Sequence, residues 1–478
     1  MIRKFIHIGL LGFICLTSTK LSLAQDSPIL GEKISEYEFL NLVMENHPLI
    51  EQAQNLREMG DFAVMAARGN FDPELFSKNK QKYYDQKNYY QYSESGISLA
   101  TRTGITLQGG YDWTNTDDLN LLNDESTLPT SGLWYAGVSV PVLQGLFIDE
   151  RRAALQKAFV DRRNFENEAQ LLLIDILLQA SNHYWHFAKF QNQKKVIEEG
   201  IKLATENFQN FKTAFEQGDK PAVDTLEASI QLQNLQIQNQ QLTVDLANAR
   251  LSLFTFLWGQ DQPLEESGVE ASPINNIPTR RIDSLRATLP IFIQEHPAIR
   301  EKEYKMQKIQ IDNRMKREKM KPKLNLEYNL LQDPSNNLSE IRGLDNYNWG
   351  LKFSMPLLLR QPRGELRMNE IKLENINLEL QQKKLAIQNK ARQYENTFAN
   401  IEQQLNTYKN IVTQYEDLLE AELRKFEIGE SSIFLINYRQ MSLINARMKY
   451  IELQAKYRLY YRQWLHSLGA KPELWLAN

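Results

Sequence analysis

The chain has few of the residues that staple, kink or hinge a protein. Its single cysteine is Cys15, inside an N-terminal stretch that reads as an export signal. Arg3 and Lys4 precede the apolar run Phe5 to Leu16, and Ser22-Leu23-Ala24 offers a small-residue cleavage site. This predicts a signal peptide over residues 1–24 and a mature chain starting at Gln25. Such a chain has no cysteine, which excludes a disulfide scaffold, a thiolate nucleophile and a cysteine-ligated metal. Cys15 also comes too early, without a small residue before it, to carry a lipid anchor.

Basic excess is missing too. The formal charge is -3, and loss of Arg3, Lys4 and Lys20 with the signal takes it to -6, which leaves no case for a nucleic-acid partner. Long apolar runs are absent after the signal. The strongest, Leu171 to Leu178, is interrupted by Asp175. An exported chain without a membrane helix is periplasmic, secreted or a membrane β-barrel. There is no phosphate-binding loop and no nucleophile–base or paired-carboxylate pattern, so the chain is read as no enzyme and needing no cofactor. His183 and His186 stand three apart on a helix but have no third ligand at characteristic spacing, so no metal site is assigned.

Glycine and proline are sparse, and they mark boundaries. What lies between them is said nearly twice. Leu42-Val-Met-Glu-Asn-His47-Pro48 returns as Ile293-Gln-Glu-His296-Pro297. Each copy leads to alternating segments ending in a proline, Val138-Ser-Val-Pro141 and Phe353-Ser-Met-Pro356. Each then enters a very long polar helix that breaks once, at Gln217-Gly218-Asp219-Lys220 and at Ile428-Gly429-Glu430-Ser431. Such duplication predicts two copies of one elongated unit. The first spans 25–259 and the second 282–468, with a linker over 260–281 and a tail over 469–478.

In the first repeat, Ser35 to Ala67 reads as a helix. Strands are predicted at about 104–113 and 133–141, and a helical hairpin over 145–258. The second repeat has strands at about 323–331 and 346–356 and a hairpin over 361–468. Leu324, Leu326, Tyr328 and Leu330 alternate with Asn325, Glu327 and Asn329. Tyr347, Trp349, Leu351 and Phe353 alternate with Asn348, Gly350, Lys352 and Ser354. A Tyr/Trp-rich apolar face opposite a wet one suits a membrane strand with a solvated lumen behind it, and also a soluble sheet packed on a helix. The tyrosine-rich residues 74–100 have no counterpart in the second repeat and are read as extended chain flanking the strands.

The stretch from Gly145 to Glu216 would be on the order of 100 Å long as a helix, and a helix that long needs partners along its length. Leu232, Leu235, Asn239, Leu242, Leu246, Ala249 and Leu253 form one seam at spacings of three and four, and Ile444, Met448, Ile451 and Ala455 form another. Four strands fall short of the smallest usual barrel, and open strand edges in lipid leave amides unpaired. Strands from other copies must close the wall, and three chains of four strands give twelve.

The order of these elements resembles the TolC family of outer-membrane efflux proteins from about Ile34 to Leu468. The signs are the doubled His-Pro element, the strand-proline-helix junctions and the paired hairpin tips. The resemblance implies an α+β membrane protein, a homotrimer whose twelve-stranded barrel lies in the lipid of a Gram-negative outer membrane and continues as an α-helical coiled-coil barrel in the periplasm. It implies a passive exit duct of a tripartite efflux or type I secretion system, working with a periplasmic adaptor and an inner-membrane pump. It further implies adaptor contact at the tips (Phe215, Gly218, Asp219, Lys220, Val223, Phe426, Gly429, Glu430, Ile433) and a periplasmic gate at Glu416, Asp417 and Glu420. Glu420 stands where the family's gate has an aspartate. An aromatic girdle would comprise Tyr111, Trp113, Trp134, Tyr328, Tyr347 and Trp349. The alternative is a soluble or periplasmic coiled-coil scaffold.

Overall fold

The computed structural model describes residues 33–114, 132–259, 270–272, 289–334 and 345–476. The expected signal peptide, most of the expected linker and the end of the tail lie outside them.

Two helices run most of the molecule's length: α3 (Glu150–Glu216) and α7 (Arg360–Glu427). Each turns back at its glycine into a helix of about half its length, α4 (Ala222–Phe254) and α8 (Ile433–Ser467). The rest of each long helix is covered from elsewhere in the sequence. Helices α1 (Glu36–Asn46) and α2 (Pro48–Gly69) precede the first strands, and α5 (Leu289–Glu295) and α6 (Pro297–Glu318) precede the second set. The stretch read as one helix from Ser35 to Ala67 is therefore two, broken at His47-Pro48, because proline cannot continue the hydrogen-bond ladder.

At every level four helices stand side by side. Near the sheet the row is α2, α3, α6, α7, and near the tips it is α4, α3, α8, α7. The seams read from the sequence fill these rows, with Leu235, Leu242, Ala249 and Leu253 buried. Where the rows meet lies the largest core, around Phe39, Tyr184, Phe187, Trp464 and Trp475, the last from α9 (Pro472–Trp475). The short strands β1 (Lys33–Ile34) and β6 (Glu270–Ala271) pair there in parallel. Arg462 donates to Glu36 at 2.7 Å inside this core, and Trp185 donates to the same oxygen at 2.9 Å.

At the other end of the upper row is an antiparallel sheet in the order β2 (Glu74–Tyr84), β3 (Lys87–Ala100), β4 (Thr106–Thr114), β5 (Leu133–Pro141), β7 (Lys323–Gln332), β8 (Tyr347–Ser354). The four expected strands are its β4, β5, β7 and β8. Residues 74–100 do not merely flank them. They form a hairpin, turning at Asp85-Gln86 with both φ positive, whose β3 pairs with β4 from Tyr92↔Thr114 to Ala100↔Thr106. Among the described residues no helix is long and apolar enough to cross a membrane.

Candidate functional site

Three regions bear on function: the two faces of the sheet, the edges of the open wall and the hairpin tips. The register of the ladders puts Leu107, Tyr111 and Trp113 of β4 on one face with Trp134, Val138 and Val140 of β5. Leu324, Leu326, Tyr328 and Leu330 of β7 share this face with Tyr347, Trp349, Leu351 and Phe353 of β8. All six expected girdle residues lie on it, from mid-height to the end remote from the helices. Tyr111 packs on Trp134 at 4.9 Å and Tyr328 stacks on Tyr347 at 5.6 Å between centroids. Trp134 and Trp349 are more than half exposed.

The opposite face is polar and its groups are joined across strands. Gln108 of β4 reaches over Gly137 of β5 to donate to Asn329 of β7 at 2.9 Å. In the same way Tyr135 of β5 reaches over Gly110 of β4 to donate to Glu94 of β3 at 3.0 Å. A Cβ at Gly110 would come within 2.8 Å of the Tyr135 hydroxyl, so glycine is what lets these side chains cross. Lys352 and Glu327 pair on this face at 3.2 Å.

Among the described residues the helical rows are open at both sides, and the outer helices carry apolar stripes that none of these residues covers. Val223, Leu226, Ile230, Ile237, Val244 and Leu251 of α4 are exposed at largely heptad spacing. So are Met59, Phe62 and Met65 of α2, and Met368, Ile371, Leu378 and Leu385 of α7.

The two tips are built alike. Gly218 and Gly429 have φ of 83° and 80°. Each closes its helix by the same pair of bonds, Gly218 N to Phe215 O with Asp219 N to Ala214 O, and Gly429 N to Phe426 O with Glu430 N to Lys425 O. The tips also pack on one another. Ile433 is buried with Phe211 and Ala228, Phe426 sits edge-on to Phe211 at 5.9 Å, and the Lys220 ammonium lies over the Phe426 ring at 5.0 Å. Phe426 and Ile433, expected to face a partner, are thus turned into the contact between hairpins. Phe215, Val223, Ile428 and Phe434 are among the exposed apolar side chains near the tips.

The three gate candidates are not alike. Glu416 accepts from Arg447 at 2.6 Å, and Arg447 also reaches Glu199 at 3.5 Å, so one guanidinium ties α7, α8 and α3. Glu420 pairs with Arg424 one turn away on its own helix, and Asp417 is exposed. Nothing in the sequence pattern singled out Glu422, yet it is buried behind the second tip, where Ser431 donates to it at 2.5 Å and Arg439 approaches at 3.5 Å. The Ser431 hydroxyl first, and Arg439 with it, hold this carboxyl below the usual carboxylate range.

Residues 289–469 match the family model for Outer membrane efflux protein. No curated protein matches the chain. Its fold is that of solved TolC-family channels. The outer membrane protein VceC of Vibrio cholerae superposes with a TM-score of 0.64 at 11% identity, over 91% of this chain and 96% of that one. The MtrE outer membrane channel of Neisseria gonorrhoeae, in its open state, gives 0.62 at 9% identity, over 91% and 89%. The CmeC outer membrane channel of Campylobacter jejuni gives 0.60 at 12%, over 91% and 85%.

Proposed function

We propose that three copies of this chain stand edge to edge as one tube, the exit duct through which an efflux or type I secretion system empties across a Gram-negative outer membrane. The observation that carries the reading is the unfinished wall. Sheet and helical rows alike end in an edge fit for continuation: the apolar outer strand β8 of the sheet, and apolar stripes on α2, α4 and α7. Three copies of β4, β5, β7 and β8 make twelve strands, and twelve helices stand beneath them at each level. The aromatic face of the sheet meets lipid, where rings with one polar handle settle at the headgroups. The polar face lines the water.

The duct is passive. A pump in the inner membrane drives export, and a periplasmic adaptor grips the tips through Phe215, Gly218, Asp219, Lys220, Val223, Gly429 and Glu430, with Ile428 and Phe434 beside them. Phe426 and Ile433 act from behind by fixing one tip against the other. At the periplasmic end the Arg447 clasp on Glu416 and Glu199 holds the hairpins together. Glu420 and Asp417 project negative charge that three-fold symmetry would repeat as rings, which favours cations in a narrow lumen.

Purified protein in planar lipid bilayers tests the reading. Wild-type channels should show low, cation-preferring conductance. Arg447→Ala should raise conductance several-fold by releasing the clasp, and Asp417→Asn with Glu420→Gln should lower the cation preference. No conductance from any of these proteins, with the chain recovered in the soluble fraction, would favour the scaffold reading.

A further inference from the structure

The hairpin β2–β3 lies where the neighbouring copy has to be. Twelve-stranded closure needs β8 of one chain to pair with β4 of the next, but in this chain β3 already holds that edge of β4. Either the hairpin joins the wall, which then closes between β8 and β2, or it leaves.

Its chemistry decides against the wall. On the face that the other four strands fill with apolar side chains, the ladder places Ser77, Asn79 and Gln81 of β2 opposite Ser95, Ser93 and Gln91 of β3. Ser77 and Ser95 bond to each other at 2.8 Å, and Ser93 donates to Asn79 at 2.6 Å. Apolar residues on this face of the hairpin lie at its two ends, Leu75, Ile97 and Leu99 near the helices and Tyr83 beside the turn, with a polar stretch between them. The other face carries Lys78, Lys80 and Lys82 of β2 opposite Glu94, Tyr92 and Tyr90 of β3, with Phe76 nearer the helices. A ribbon whose lipid-type face is polar through its middle, and whose other face carries three lysines, belongs in water and not between lipid and lumen. Lysines repeated along β2 also make it a poor edge for another strand, the usual device by which edge strands refuse partners. β8 is the reverse, with Tyr347, Trp349, Leu351 and Phe353 all exposed on its lipid-type face.

We propose, on the basis of the trimer reading above, that the β2–β3 hairpin is a placeholder on the β4 edge, displaced during assembly by β8 of a second copy. The exchange swaps one antiparallel ladder for another, since β3 and β8 both run opposite to β4. The rail that parts is glycine-rich: Gly96 faces Gly110, with Gly109 beside it, and such strands are weakly held. The inner-face hydrogen bond from Tyr135 to Glu94 is given up to water. Both ends of the hairpin stay at the helical end of the sheet, Glu74 after α2 and Ala100 before β4. Its length matches the wall, so outside it would meet lipid and inside it meets the lumen. The displaced hairpins therefore lie within the barrel and present Lys78, Lys80 and Lys82 to the passage.

Paired cysteines test this in the full-length chain, whose only cysteine is Cys15. Lys352→Cys on β8 is combined in turn with Gln108→Cys or Asp112→Cys on β4, and with Lys78→Cys, Lys80→Cys or Lys82→Cys on β2. Disulfide-linked chains should form with the β4 set alone. Links to the β2 set mean that the hairpin is part of the wall, and links to neither mean that β8 is not closed by another copy; both overturn the proposal. In a second variant, Glu94→Cys with Asp112→Cys bolts β3 to β4. The oxidised form should stay unassembled and the reduced form should assemble, and equal assembly of both would overturn displacement. If the wild-type chain itself gives no trimer, the proposed function falls first. If it gives trimers linked through β2, only the placeholder falls.

Discussion

At the residue scale the doubled His-Pro pair has a defined task. His47 caps α2, its Nδ1 accepting from Leu49 N at 3.2 Å, and His296 caps α6, its Nδ1 accepting from Ala298 N at 3.1 Å. The other side of each ring bonds to backbone where the returning helix of the same repeat ends, at Thr255 and at Ser467. A neutral imidazole, acceptor on one nitrogen and donor on the other, is suited to join the start of one helix to the end of another. A second proton would abolish the acceptor. Burial, with Lys383 and His466 nearby, pushes His296 down from 6.5 to about 4. A histidine whose pKa is depressed by folding stabilises the fold fully above its unfolded value, and that contribution fades as pH falls through the folded one. Thermal unfolding followed by circular dichroism should therefore show a loss between pH 6.5 and about 4, on the order of 3 kcal/mol from this group. His296→Asn keeps a cap without titrating and should flatten that segment of the profile. An unchanged profile would remove His296 from the account. The sequence placed these histidines at helix bends. It did not show the second bond, because Thr255 and Ser467 come together with them only through the fold.

At the scale of elements, what was legible followed from periodicity and punctuation. The breaks at Gly218 and Gly429 are visible in the sequence because φ near 80° suits glycine alone among common residues. Nothing lies within 4 Å of a Cβ added at either position, so Gly218→Ala or Gly429→Ala should cost only backbone strain, about 1 kcal/mol each. Hydrogen exchange at the tip amides should quicken accordingly, whereas protection equal to wild type would mean that the turn does not need its left-handed residue. The hairpin β2–β3 was not legible. Lysines alternating with Ser77, Asn79 and Gln81 give a polar residue at nearly every step, so the two-residue period has nothing to contrast. The inward turn of Phe426 and Ile433 escaped for another reason: they are apolar residues beside a turn, and only the meeting of the two tips decides which way they point. The long helices showed that they needed partners, but half of that cover comes from α2 and α6, separated in sequence by the strands.

At the scale of the whole molecule, the proposed duct makes one chain a strip of wall. Its core is concentrated at the middle, where Trp464 and Trp475 are buried, while its long edges carry apolar side chains that the other described residues leave exposed. Duplication explains the even spacing of elements across the strip, and that much could be read from the two glycine tips and two strand–proline junctions. Closure could be inferred only from the shortage of strands. The most direct measurement is native mass spectrometry of the protein extracted by detergent from outer-membrane fractions. The account requires a particle of three chains that stays together in detergent. A single chain, stable in buffer without detergent, would contradict it.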